Sequence, residues 1–279
     1  MSQCRAPDTI PMNADAFAPR DDTALYWLAG AGFLLNSRGK TILVDPVLTT
    51  RVEQPNVCET GLPLLVDYPI DAKSIPMVDA VLYTHIDNDH LGPVTAGILM
   101  ALDPLFVGTP LVCQTLMDRG VKRYHSGNAG DITTIGTCIV EITPADHPWQ
   151  LLDPWNYGRA FEPGDCCGFK ITTPDGTFLF TGDTRLMKAH LDIAGIDVLA
   201  LDVSRCRYHL GVDGAAVLAN SLEDAILIPY HYGTFDCPDN VAHNGDPRDV
   251  LARVKNAAAR TRNLAPGQPF VIANGREMQ

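Results

Sequence analysis

Short apolar runs separated by glycine constrain this chain more than any other feature. Residues 24–28, 33–36 and 41–44 are each four or five residues long, with Gly30, Gly32 and Gly39 between them. A helix needs a longer periodic face, so runs this short, closed by turn formers, read as consecutive strands. A fourth run, 80–84, follows the proline-interrupted stretch 47–76, which is too long for an ordinary connection and reads as a lid or substrate loop. Beyond it the pattern alternates: helix over 94–102, strand over 105–107, helix over 111–119 stopped at Gly120. Strands follow over 138–143, 168–173 and 177–181, the last two joined by the turn Pro174-Asp175-Gly176. Residues 198–203 and 225–229 read as buried strands around a helix over 214–222. A further helix over 247–260 carries Val250, Val254 and Ala257 at helical spacing, and 270–273 closes as a strand. Two β-rich halves, each followed by helices and without a linker between them, point to an α/β chain folded as a four-layer αββα sandwich. Residues 23–279 read as one domain, and the Pro-, Asp- and Ala-rich residues 1–22 as an extended arm.

Charge narrows the partners. Thirty-three carboxylates against 21 Lys and Arg leave a net charge of −12, and no basic run is present. Nucleic acids and anionic membranes are recognised through basic stripes that release counterions, so neither is an expected partner. Of the carboxylates 27 are Asp, a residue that favours turns, caps and short-armed metal shells. The most apolar window, 91–112, is broken by Asp103 and by Gly and Pro, and falls short of the roughly 20 clean residues of a membrane span. Eight cysteines without an apolar leader read as free thiols in a cytoplasmic protein. The adjacent Cys166 and Cys167 are assigned no chemistry, and a homo-oligomer is left open.

The densest chemical signal is Thr84-His85-Ile86-Asp87-Asn88-Asp89-His90, directly after the apolar run 80–83. So many imidazoles and carboxylates in one turn repel and desolvate each other unless a cation offsets them. Three more strand ends carry matching groups: Asp146-His147 after 138–143, Gly182-Asp183-Thr184 after 177–181, and His231 after 225–229. Ligands scattered in sequence but all at strand ends can converge on one edge of a sandwich.

In that order His85, Asp87, Asp89, His90, His147, Asp183 and His231 resemble the metallo-β-lactamase superfamily, whose first motif usually reads His-x-His-x-Asp-His. Gly30-Ala31-Gly32-Phe33, residues 42–46, residues 181–184 and residues 228–235 look like the branch that holds ascorbate-6-phosphate lactonase and related metal-dependent hydrolases. The resemblance implies two divalent ions, Zn or Mn with Fe as a further option. One would lie at His85, Asp87 and His147, the other at Asp89, His90 and His231, with Asp183 bridging. It also implies hydrolysis by an activated hydroxide of a small ester, lactone or phosphodiester. Asp87 departs from the motif by standing where the family usually has His, which makes the first site harder and less zinc-selective.

Among the remaining residues, His209 is a candidate for substrate contact or proton transfer, and Asp89 for catalysis as well as ligation. Asp45 and Asp202 are candidates for support. His125, His190 and His243 read as solvated or helix-end residues. Trp155, Tyr157, Arg159 and Arg205 are weak candidates for contacting a small-molecule substrate, with the arginines suited to an anionic one. Two other functions compete with hydrolysis: an iron-dependent redox or oxygen-using protein on the same fold, and a metal-bound binding module without catalysis.

Overall fold

The computed structural model describes residues 3–148 and 162–278. Strands β1 (Thr23–Trp27), β2 (Phe33–Ser37) and β3 (Lys40–Val44) form an antiparallel meander. Arg38 and Gly39 both take positive φ at the tight β2–β3 turn, as a twisted hairpin requires. The excursion 47–76 holds its own two-stranded ribbon, β4 (Thr50–Arg51) and β5 (Gln54–Cys58). β6 (Ala80–Leu82) then adds parallel to β3. Two crossovers follow in order, α1 (Pro93–Leu99) before β7 (Leu105–Gly108) and α2 (Pro110–Met117) before β8 (Tyr124–Ser126). Glu59, from the excursion, caps α1 by accepting from the Val94 and Thr95 amides and the Thr95 hydroxyl.

The second sheet begins with an antiparallel series, β9 (Ile132–Ile135), β10 (Cys138–Pro144), β11 (Cys167–Thr172) and β12 (Thr177–Phe180). After α3 (Lys188–Leu191) it continues in parallel through β13 (Val198–Asp202), α4 (Gly211–Ser221) and β14 (Ile226–Tyr230). Helices α5 (Pro247–Leu251) and α6 (Ala257–Arg260) precede β15 (Pro269–Ala273) and β16 (Arg276–Glu277). The final strands return to the first sheet, where β15 pairs with β1, so its order is β16-β15-β1-β2-β3-β6-β7-β8. The second sheet runs β14-β13-β12-β11-β10-β9.

Side-chain parity shows why the sandwich has four layers. Leu25, Trp27, Phe33, Leu35, Ile42 and Val44 pack against Val140, Ile142, Phe169, Ile171, Phe178 and Phe180 between the sheets. The alternate residues, Ala24, Tyr26, Leu34, Leu43 and Val81, lie under α1 and α2 with Ala96, Leu99, Val112 and Leu116. A strand buried on both faces must have a layer on each side, and every residue of β1 is buried.

Several expectations are corrected. The helix read over 247–260 is two helices, because Asn256 takes a left-handed φ of 54° between them. The helix over 94–102 tightens to a 3-10 turn after Leu99 and stops at Asp103, also at positive φ. Strands β4, β5, β8, β9 and β16 were not legible, since they are short and largely exposed edges without an apolar run. Residues 3–12 run along the domain: Ala6 donates to the Gly233 carbonyl, Ile10 to Pro266 and Met12 to Pro69. Among the described residues no helix is long and apolar enough to cross a membrane, and the eight cysteines carry free thiols.

Candidate metal centre

The site is built from strand ends, and its foundation is Asp45. This residue ends β3 at a φ of 46°, and one of its oxygens accepts from the Thr84 amide at 2.8 Å. Its other oxygen accepts from the Thr84 hydroxyl at 2.7 Å and from His90 Nδ1 at 2.8 Å. Because Thr84 gives its only hydroxyl proton to Asp45, its oxygen accepts from His85 Nδ1, 2.9 Å away. His147 Nδ1 donates to the Tyr208 carbonyl at 2.8 Å, and His209 Nδ1 to Asp202 at 2.9 Å. Four imidazoles are therefore held with a proton on Nδ1, and each turns its Nε2 toward the common centre.

What those nitrogens meet is a set of carboxylates. Asp183 Oδ2 lies 3.2 Å from His90 Nε2, 3.2 Å from His209 Nε2, 3.7 Å from His147 Nε2 and 4.0 Å from His85 Nε2. Its Oδ1 lies 3.0 Å from His231 Nε2. Asp87 Oδ2 is 3.1 Å from His85 Nε2 and 3.4 Å from His147 Nε2, and Asp89 Oδ2 is 3.8 Å from His90 Nε2. The Nε2 atoms of His90 and His231 stand 3.2 Å apart. So many carboxylates and ring nitrogens at this spacing in a buried space require positive charge among them, from a bound cation or from protons on the rings.

The spacing fits such a cation. Tetrahedral ligands at zinc distances of ~2.1 Å are separated from each other by about 3.4 Å, and the contacts above scatter around that edge. His85 Nε2 and Asp183 Oδ1 are buried without a hydrogen-bond partner, as expected of atoms placed for an ion. Ligand atoms come within mutual reach in three groups: Asp89, His90, Asp183 and His231; His85, Asp87 and His147; and His147, Asp183 and His209.

Electrostatics tell the same story. Burial opposes charge on His90, yet Asp183, Asp45 and Asp89 outweigh it and raise its pKa well above the ordinary imidazole value. Burial likewise opposes ionisation of Asp183, and the surrounding His209, His90 and His231 bring its carboxyl well below the usual range. Asp87 is also lowered despite burial, by His85 and His147. The pocket holds its carboxylates ionised and draws in positive charge.

The structure thus brings His85, Asp87, Asp89, His90, His147, Asp183, His209 and His231 to one place. Beside them opens a cavity of about 290 Å³, walled also by Asn88, Cys206, Tyr208, Asn240, Val241, Ala242 and His243. Asp202 supports His209 while also accepting from the Ser204 amide.

Two expectations fail. Arg205 is no anion clamp: its guanidinium is held by Asp249 at 2.7 Å and does not line the cavity. His243 is neither solvated nor at a helix end. It is buried at the site, stacked on His231 with ring centroids 5.8 Å apart, and its Nδ1 is 3.7 Å from Asp89. No motif flanks His243 in sequence, so nothing marked it there. His190 does serve a helix end, accepting from the Met187 amide and donating to the Pro144 carbonyl. Trp155, Tyr157 and Arg159 lie outside the described residues. The excursion 47–76 supplies no wall residue; it pairs instead with the segment after His231, through Leu65 to Thr234 and Asp236 to Pro63.

A four-layer sandwich with a His/Asp cage at its strand ends defines the class, and residues 40–232 match the family model of the beta-lactamase superfamily domain. A UPF0173 metal-dependent hydrolase of Methanoculleus marisnigri is 30% identical over 256 residues, covering 89% of this chain and 96% of its own. One from Anaeromyxobacter sp. (strain K) is 28% identical over 270 residues, covering 93% and 90%. Among solved structures, a possible metal-dependent hydrolase from Veillonella parvula superposes with a TM-score of 0.69 at 17% identity, covering 89% of this chain and 99% of that one. The chain belongs to the β-lactamase superfamily and, within it, to the UPF0173 metal-dependent hydrolases.

Proposed function

We propose that the chain hydrolyses a small ester or lactone, with two divalent cations held at the strand ends. His85, Asp87 and His147 would hold one and Asp89, His90 and His231 the other, with Asp183 within reach of both groups. The observation that carries this reading is the inward set of Nε2 atoms and carboxylate oxygens at ligand-to-ligand spacing. Bound there, such cations supply Lewis acidity, making water a nucleophile near neutral pH and stabilising negative charge that develops on the substrate.

The protein's own part is to place and polarise. Asp89 keeps 15% of its side chain exposed at the cavity, where its carboxylate can orient the attacking water and receive its proton. His209 also lines the cavity, oriented by Asp202. Hard carboxylate donors, Asp87 among them, suit Mn and Fe as well as Zn.

The wall also selects substrate. No Lys or Arg lines the cavity among the described residues, and Asn88, Asn240, Tyr208 and Ala242 offer neutral contacts. With no cationic side chain on the described wall to clamp the non-bridging oxygens of a phosphoryl group, an ester or lactone is favoured over a phosphodiester. The test is a panel of the three classes with protein purified without added metal. Turnover of an ester or lactone, lost on chelation and restored by Zn or Mn, is expected. Turnover of the phosphodiester alone, or oxygen consumption by iron-loaded protein without hydrolysis, would overturn this reading, as would a protein that binds metal and turns over nothing.

A further inference from the structure

His209 lies outside the ligand order that the sequence resemblance implies, yet its geometry is that of the ligands. Of the four imidazoles assigned to the cations, His231 has its Nδ1 buried without a hydrogen-bond partner, while the other three have Nδ1 anchored: His85 by Thr84, His90 by Asp45 and His147 by the Tyr208 carbonyl. His209 follows the same rule with Asp202, whose side chain is fully buried. Its Nε2 is 3.2 Å from Asp183 Oδ2, closer than His85 Nε2 at 4.0 Å or His147 Nε2 at 3.7 Å. The ring stands edge-on to His147 on one side and to His231 on the other, with centroids 5.1 and 5.2 Å away. His147, Asp183 and His209 bring their ligand atoms together as His85, Asp87 and His147 do. The residue is 4% exposed, as a ligand's would be, although one edge reaches the cavity wall.

We propose that His209 is a metal ligand, holding the cation beside His147 together with His147 and Asp183. His209 shares its group of mutually close ligand atoms with His147 and Asp183 and not with His85, so that ion would take its nitrogen donors from His147 and His209, and the carboxylate of Asp202 fixes the latter as an outer partner. The inference rests on reading the cage as a metal centre, and it replaces the proton-transfer or substrate role expected of His209 with a structural bond to the ion.

The experiment is metal binding by the full chain, stripped with chelator and titrated with Zn or Co, with stoichiometry read by calorimetry and the Co spectrum recorded. The wild type is compared with His209→Ala, His209→Phe, which keeps ring volume without a donor nitrogen, and Asp202→Asn. Both His209 variants are expected to keep one tight site, that of Asp89, His90 and His231. The other site should weaken at least 10-fold with altered Co bands, and Asp202→Asn should weaken it about 10-fold or more. Circular dichroism confirms that at least one His209 variant is folded. Two equivalents bound at wild-type affinity with an unchanged spectrum in a folded variant would overturn the ligand role alone. A wild type that binds no ion would overturn the metal centre itself.

Discussion

Asp45 shows how much one side chain can organise. Its two oxygens accept from the Thr84 amide, the Thr84 hydroxyl and His90, all of them buried. Asp45→Ala leaves three buried donors without an acceptor, and a loss of about 2–4 kcal/mol is expected in urea unfolding; a loss below 0.5 kcal/mol would contradict the role given to it. In the proposed ligation Asp87 would set metal preference rather than stability. Asp87→His adds an imidazole and removes a hard donor, so competition between Zn and Mn should shift about 10-fold or more toward Zn, and an unchanged ratio would show that Asp87 does not touch the ion. These residues were legible because Asp87, Asp89, His90, His147, Asp183 and His231 each stand within a few positions of the end of an apolar run. His243 was not, because its burial against Asp89 and His231 comes from a long loop whose path no local pattern reveals.

Elements were readable where burial was two-sided. The runs that became β1, β2, β13 and β14 are apolar because both faces are covered, whereas β8 and β9 are largely exposed and left no trace. Helix ends depended on single backbone conformations such as that of Asn256, which composition does not betray. At this scale His190 makes a pH prediction. Burial lowers its pKa below the ordinary 6.5, and its Nδ1 must stay unprotonated to accept from the Met187 amide at the start of α3. A base with a lowered folded pKa contributes stability that is present above 6.5 and lost as pH falls through the folded value. Unfolding free energy should therefore drop less between pH 7.5 and 5.5 in His190→Ala than in the wild type, measured on metal-free protein; equal drops would count against it.

The whole molecule is closed by its ends. β15 and β16 complete the first sheet, and residues 3–12 stitch the excursion to the segment after His231, with Arg5 donating to Leu65, Thr9 to Asp67 and Ala6 to Gly233. Gly233 sits at a φ of 61°, and a Cβ there would come within 2.1 Å of the Ala6 amide nitrogen. Gly233→Ala should cost about 1–2 kcal/mol from the left-handed backbone alone and more from displacing the arm, so a melting temperature equal to wild type would refute the contact. The layering of the sandwich could be read in advance, since two-sided burial and hairpin spacing are local properties. The return of the last strand to the first sheet could not, because pairing between β1 and β15 is set by the whole topology.

The central claim, that side chains from five strand ends enclose cations, is tested most directly by crystals of protein purified without added metal, with X-ray fluorescence and anomalous difference maps. Two anomalous peaks are expected flanking the Asp183 carboxylate, one within bonding distance of His147 and one within bonding distance of His231. Absence of anomalous density there, or ions bound only elsewhere on the surface, would contradict it.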